Sequence, residues 1–572
     1  MRPTTARRLS SSSVMSVVMT IAPRFDNTFT RDLRPEPPDQ NPHDSRQVFG
    51  AHFTKVRPTV PSPKPKVVCY SEEVAESLGI KKEDLESEEF AKVFGGQIPE
   101  AWESWAAAYG ASFAGQYGGQ RGDGRAISIG QCNGYEIQLK GAGTTPYSRR
   151  FDGRAVLRSC VREFLASEAM AALRVPTTRA LSVVASGDLV QRFWYDDDGH
   201  EMPKSELGAV GCRTATSFLR LGQFELFHHN GETDLLAELA EHALSREFGH
   251  LLVQHPEESK AQQMVRMFDE ICERHAHLVA EWLRVGYCQG NMNSDNSAIA
   301  GTTLDYGPFA FMEKFIPLYN PWVGGGVAYA FGRQPQAAAI NLSGVAPAFV
   351  ELVEHFAKAE GLSKAATNEA IEGVRRAVSH TYVDSFHAKL NEGCRQKLGL
   401  ESWDDEAQEL WDDLFRLMSS QCGKEGIDFT LLFRGLTELP PPPRGEDADD
   451  SDSGIGAVLR GAALEDPSGW PSEHTEAWAS WAAKYYARVA SDARPAAERA
   501  EEMAVANPKY ILRNWMAAEA HEAASRGDFS IVRELHALLR KPYEDQGDEA
   551  NERWAQTTPV WARERAGLAF MS

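Results

Sequence analysis

The sequence predicts an α+β fold: a small β-rich N-terminal lobe, a larger helical lobe and additional helices at the C-terminus. Three observations carry this expectation. Between residues 126 and 184 the stretches "AISI", "YEIQL" and "RALSVV" gather β-prone side chains in short runs bounded by turn residues, as strands do. Among them "RAVLRSCVREFLASEAMAAL" puts Leu157, Cys160, Val161, Phe164, Leu165 and Met170 on one apolar stripe, the mark of an amphipathic helix. Far downstream, "WPSEHTEAWASWAAKYYARVA" and "NWMAAEAHEAASRGDFSIVRELHALLRKPY" space their apolar residues as helices do, with Trp and Tyr in core positions.

In chain order, the first 25 residues hold Arg2, Arg7, Arg8 and Arg24 and a serine cluster, with no acid before Asp26. Residues 1–30 are therefore expected to be an organelle transit peptide, mitochondrial in the first instance. A secretory signal built on "VMSVVMTIA", or an untargeted tail of a cytoplasmic protein, are the competing readings. Residues 31–66, with "PEPPDQNP" and "PTVPSPKPK", read as extended and weakly ordered, so the compact fold is expected to begin near Val67. Residues 71–110 read as short capped helices; in "SEEVAESLGI" Ser71 precedes two glutamates and Gly79 follows the last turn. The β-rich lobe is placed at 67–210 and the helical lobe at 211–439. Over 440–456 a proline run meets an acidic Ser/Asp/Gly tract that cannot bury enough apolar surface to order itself. The C-terminal helical region follows, at 457–572.

The bulk numbers exclude some functions. A net charge of −21 and a pI near 5.3 argue against general nucleic-acid binding, which needs a basic surface. Any phosphate must be bound locally. No uninterrupted apolar run reaches the roughly 18 residues of a membrane span, so none is expected. The eight cysteines contain no C-x-x-C pair, which leaves reduced thiols as the default. Cys288, seven residues before Asp295, is either a redox brake on a nearby site or a buried inert thiol.

Four features carry chemistry. In "YGGQRGDGRAISIG" Gly118, Gly119, Gly122 and Gly124 lead into a strand, so backbone amides can approach phosphate oxygens and Arg125 adds a charged fork; a plain β-hairpin is the alternative. In "YEIQLKGAG" Ile137 and Leu139 point to one face and Lys140 to the other. Glu163 borders the apolar stripe of the following helix and is close enough to fold back onto Lys140, or is an ordinary surface glutamate. In "GNMNSDNSAIAGTTLDYGPFAF" Asp295, Asn296 and Asp305 offer hard oxygen ligands of the kind Mg²⁺ takes alongside water and substrate phosphates. Two unconnected turns would use the same residues. The order of parts, glycine loop, lysine strand, glutamate helix, then Asn and Asp, is that of a bilobal protein-kinase-like fold, yet neither an H-R-D nor a D-F-G motif is present.

Longer motifs narrow this. "GDGRA" (122–126), "LKGAGTTPYSR" (139–149), "DGRAVLRSCVREFLASEAM" (152–170), "NSDN" (293–296), "LDYGPFAFME" (304–313) and "NPKYILRN" (507–514) resemble the selenoprotein O, or YdiU, family from about residue 50 onward. The resemblance implies a pseudokinase that binds ATP in reversed orientation and transfers AMP to Ser, Thr or Tyr of proteins; UMP transfer is attributed to some members. It implies nucleotide contacts from Gly122, Gly124, Arg125, Lys140, Asp152, Gly153, Arg213, Arg220 and Asp305, and a Lys140–Glu163 pair. It further implies Mg²⁺, or Mn²⁺ in its place, on Asn296 and Asp305, and Asp295 as proton acceptor. In "CRTATSFLRLG" the seven-residue spacing of Arg213 and Arg220 reads as one face of a helix. Two features depart from the family pattern: the last residues, "GLAFMS", carry no cysteine or selenocysteine, and Gln289 stands where a histidine is expected. A conventional kinase and a nucleotide-binding scaffold without turnover are the other readings, while the protein targets and oligomeric state are not legible.

Overall fold

The computed structural model describes residues 24–195, 201–439 and 454–564. The leader reading therefore rests almost wholly on residues outside the described ones, as does most of the acidic tract. The strands are β1 Phe53–Lys55, β2 Lys66–Tyr70, β3 Trp105–Ala107, β4 Gly110–Phe113, β5 Gln116–Gln120, β6 Ala126–Cys132, β7 Tyr135–Lys140, β8 Ala155–Val156, β9 Arg179–Tyr195, β10 Glu201–Ala215, β11 Tyr287–Cys288 and β12 Ala310–Phe311. One antiparallel sheet runs β1-β3-β6-β7-β10-β9-β2, with β8 beside β10, while β4–β5 and β11–β12 are separate pairs. The architecture is thus mixed α+β, an antiparallel sheet followed by many helices.

Helix α1, Leu157–Ala172, packs on β9 and β10. It is followed by α2 Leu221–Asn230, α3 Lys260–Arg284, α4 Gln334–Glu360 and α5 Phe429–Thr437, then α6 Asn514–Ser525 and α7 Ser530–Leu539. The main apolar core is continuous from Phe29 through the sheet, α1, α3 and α4 to α6 and α7. Helices α6 and α7 fold back onto α1, and Arg533 Nε donates to the Val68 carbonyl of β2 at 3.2 Å.

Three expectations are corrected. Residues 31–66 are not weakly ordered: Leu33, Val48, Ala51, Phe53 and Val56 are buried and β1 pairs with β3, so apolar residues spaced between the prolines anchor the segment. Only Glu72–Ser77 and Glu88–Phe94 are α-helical in 71–110, with β3 and β4 ending that span. The boundary at 210/211 falls inside β10, because the strand continues its ladder with β7 to Ala215. A helix over Phe331–Glu360 is long and apolar enough by composition to cross a membrane, although polar residues interrupt it; half of its apolar window is buried, and α4 packs against α2 and α3 as a core helix.

Candidate active site

Strand alternation places the first charges. Gln138 lies opposite Arg213 in the β7–β10 ladder, and Lys140, two residues on, shares their face. Arg213 donates Nε and Nη2 to Gln138 Oε1 at 3.1 and 2.8 Å, which aims the rest of its guanidinium at the acids beyond. Lys140 Nζ donates to Glu163 Oε2 at 2.5 Å and also to Asp305 Oδ1. Arg213 Nη1 reaches Glu163 Oε1 at 3.3 Å and Asp305 Oδ1 at 3.0 Å. Two cations and two carboxylates therefore interlock where sheet, α1 and the Asp305 turn meet. Burial pushes the Asp305 carboxyl up, but Lys140 and Arg213 beside it prevail and hold it far below the usual carboxylate range.

Asp305 is held from behind. Trp282 Nε1 donates to Thr303 Oγ1 at 2.8 Å, and backbone bonds join Thr303 to Pro176 and Thr178. Gln289 Nε2 donates to the Asp305 carbonyl at 2.9 Å, while Gln289 Oε1 accepts from Tyr287 at 2.7 Å. This gives the unexpected glutamine a structural role that the sequence did not disclose.

The Asp295 loop is a short 3-10 turn, Ser294–Asn296. Ser294 Oγ donates to Glu225 of α2 and accepts from the Ser112 amide of β4 at 2.7 Å. Gly222 is required beneath it, since a Cβ there would lie 2.2 Å from the Gly110 carbonyl oxygen and 3.5 Å from the Asp295 Cα. Asn296 Nδ2 donates to the Asn291 carbonyl at 3.2 Å, which turns its Oδ1 to other partners. Asp295 is half-buried, and its Oδ1, a buried atom, has no hydrogen-bond partner among the described residues. Burial raises its carboxyl above the ordinary value, against the pull of Arg220.

Arg213 and Arg220 do not share a helix face. Arg213 is in β10 and Arg220 caps the N-terminus of α2, because "TATSF" between them is extended strand and turn rather than helix. Both still reach one cleft. Arg220 Nη2 donates to Asp123 Oδ1 at 3.1 Å, its Nη1 donates to the Asp295 carbonyl at 2.8 Å, and the guanidinium lies 4.2 Å from the Tyr109 ring. Asp123 was missed, although its place between Gly122 and Gly124 was a visible signal.

The cleft has a volume of about 670 Å³ and is lined by Gly122, Gly124, Arg125, Lys140, Asp152, Gly153, Arg213, Arg220, Asp295, Asn296 and Asp305. Glu163 stands behind Lys140 rather than in the lining. Gly118 and Gly119 are elsewhere, in the β4–β5 hairpin. Gly122 and Gly153 are fixed by close packing: a Cβ would lie 2.3 Å from Tyr147 at the first and 2.2 Å from Gly143 at the second, and both have positive φ. Asp152 accepts from Arg192 Nη1 at 2.8 Å. In all, eight arginines and Lys140 line the cleft against four aspartates, an inversion of the chain's acidic balance.

The donor set fits a magnesium ion. The Lys140 and Arg213 bonds to Asp305 both fall on Oδ1, and Asn296 lines the same cleft, so Asp305 Oδ2 and the Asn296 amide oxygen are the hard-oxygen donors on offer. No group of three His, Cys, Asp or Glu suited to a metal occurs among the described residues, so a cation here would draw its remaining ligands from water and phosphate. Cys288 is no redox brake: it is fully buried, its thiol is pushed up to about 12 by burial, and Sγ donates to the Tyr319 and Tyr329 carbonyls.

The profile described as Protein adenylyltransferase SelO matches residues 42–540. The chain belongs to the SelO family. A relative from Xanthomonas campestris pv. campestris, named Protein nucleotidyltransferase YdiU, is 41% identical over 96% of this chain and 99% of its own length. Relatives of the same name from Azoarcus sp. and Rhodopirellula baltica are each 40% identical, over 96% and 97% of this chain and 98% and 99% of theirs. SelO membership over nearly the whole length makes the chain an enzyme of the nucleotidyltransferase class. These relatives are bacterial and lend no support to the mitochondrial leader.

Proposed function

We propose that this SelO protein is a Mg²⁺-dependent protein adenylyltransferase that moves AMP from ATP to a Ser, Thr or Tyr hydroxyl of a protein and releases pyrophosphate. The observation that carries the reading is Asp295 Oδ1, a buried carboxylate oxygen without a partner, lining a cleft whose other charged groups are mostly cations. A strand lysine braced by a helical glutamate supports a kinase-like, two-lobed arrangement of the cleft.

Lys140 and Arg213, at the cleft floor, hold the β- and γ-phosphates, with Glu163 and Asp305 fixing the two cations in place. Arg220 extends this cradle toward Asp295. The α-phosphorus then faces the acceptor. As the acceptor oxygen bonds to the α-phosphorus, its proton passes to Asp295 Oδ1 and the bond to the β-phosphate bridging oxygen breaks, releasing pyrophosphate. A Mg²⁺ on Asn296 and Asp305 would offset the negative charge of the phosphates during this exchange. The raised Asp295 carboxyl makes it a better proton acceptor than an exposed aspartate.

Intact-mass measurement of the protein and a mixture of acceptor proteins, incubated with ATP and Mg²⁺, tests this directly. Adducts of AMP mass that Asp295→Ala fails to form are expected; adducts of phosphate mass would instead identify a conventional kinase.

A further inference from the structure

The cations of the cleft fall into two groups. Lys140, Arg154, Arg192, Arg213 and Arg220 each pair with a carboxylate of the chain. Arg121, Arg125, Arg149 and Arg150 have no carboxylate in ion-pair distance among the described residues, although acidic residues outnumber basic ones 81 to 60 in the chain; Arg121 and Arg125 flank the glycine loop, which leaves Arg149 and Arg150 as the unpaired cations outside it. Both are exposed, whereas Lys140, Arg213 and Arg220 are buried.

Their backbone is unusual as well. Arg149 and Arg150 are consecutive residues in the left-handed region, φ 51° and 71°, where glycine or asparagine is at home and arginine rarely is. The turn is built to hold them: Ser148 Oγ accepts from the Thr145 amide at 2.8 Å, the Phe151 amide donates to the Ser148 carbonyl at 2.9 Å, and the Arg150 amide donates to Ser45 Oγ at 3.2 Å. Ser148 also donates to the Gly124 carbonyl, which pins the turn to the glycine loop of the cleft. Beside it Phe151 and Phe193, both cleft-lining, are 69% and 68% exposed, a high value for phenylalanine. Unpaired arginines next to exposed aromatic rings, at the mouth of a cleft whose floor is already charged for phosphates, suit a peptide that brings its own carboxylates and an apolar side chain.

We propose that Arg149, Arg150, Phe151 and Phe193 form the docking site for the acceptor, selecting segments whose hydroxyl residue is flanked by glutamate or aspartate and an apolar side chain. The proposal rests on the protein-acceptor reading above, but its binding step does not depend on transfer.

Fluorescence anisotropy tests it, with a labelled tyrosine peptide flanked by glutamates and leucine, a counterpart with lysines for the glutamates, and α,β-methylene-ATP with Mg²⁺ present. The acidic peptide is expected to bind at least tenfold tighter, and the preference to weaken with salt. Arg149→Ala with Arg150→Ala should reduce the preference to within twofold while ATP affinity changes less than twofold, and the two Arg→Lys changes together should keep most of it. Equal binding of both peptides, a parallel loss of ATP affinity, or tighter binding of a single-stranded oligonucleotide would overturn the proposal. If the peptide preference holds but no AMP is transferred, the docking site stands and the transfer reading falls; AMP transfer indifferent to acceptor charge has the opposite meaning.

Discussion

Asp295 differs from every other acid in the cleft in leaving a buried oxygen unpartnered, so its substitution has a specific signature. Asp295→Asn keeps shape and volume and is expected to slow transfer by roughly 10² to 10⁴ while ATP affinity, read by calorimetry, changes little. Asp305→Ala should abolish transfer and weaken the response to Mg²⁺, because it removes a metal ligand and leaves Lys140 and Arg213 facing Glu163 alone. Gln289→Ala touches no substrate but frees the Asp305 carbonyl; a destabilisation of about 1–3 kcal/mol by urea titration, with reduced turnover, is expected. Most of these residues were legible in the sequence, Lys140, Glu163, Asp295, Asn296 and Asp305 above all, because their chemistry demands particular side chains at motif spacing. Asp123 and Gln289 were not: their partners lie 97 and 16 positions away, and only Asp123, between two glycines of the loop, carried a local sign of its place in the cleft.

Helix α1 links the site to the rest of the fold. Its amphipathic stripe was readable, but its other face is buried too: Arg162 donates to Asn514 Oδ1 and to the Phe309 carbonyl, each at 3.1 Å, and stacks on the Phe309 ring. Glu168 accepts from Arg179 of β9 at 2.9 Å and from Ser71 at 2.7 Å. Burial alone would raise the Glu168 carboxyl, but Arg179, His536 and Ser71 lower it to about 2. An acid depressed in the folded state contributes stability that is complete above its unfolded value, near 4.5, and is lost as pH falls toward 2. Urea unfolding should therefore show about 3 kcal/mol of stability disappearing across that window, and Glu168→Gln should flatten it. Strand β4 and the extended path between Arg213 and Arg220 escaped the sequence reading for a related reason. Short segments with mixed periodicity take their conformation from the partners they meet.

At the scale of the whole molecule, an acidic protein lines one cleft with an excess of positive charge and braces that cleft with its C-terminal helices. The return of α6 and α7 onto α1 could not be read from the sequence, since helical periodicity gives a helix's buried face but not its distant neighbour. That packing predicts that Arg162→Ala, outside the cleft lining, lowers stability by about 2–4 kcal/mol through a lost buried side chain and its hydrogen bonds; thermal unfolding would register it. The reaction itself is read most directly by incubating the protein and acceptor proteins with Mg²⁺ and ATP labelled on either the α- or the γ-phosphate. The α-label is expected on protein and the γ-label in released pyrophosphate; γ-label on protein without α-label would contradict the account.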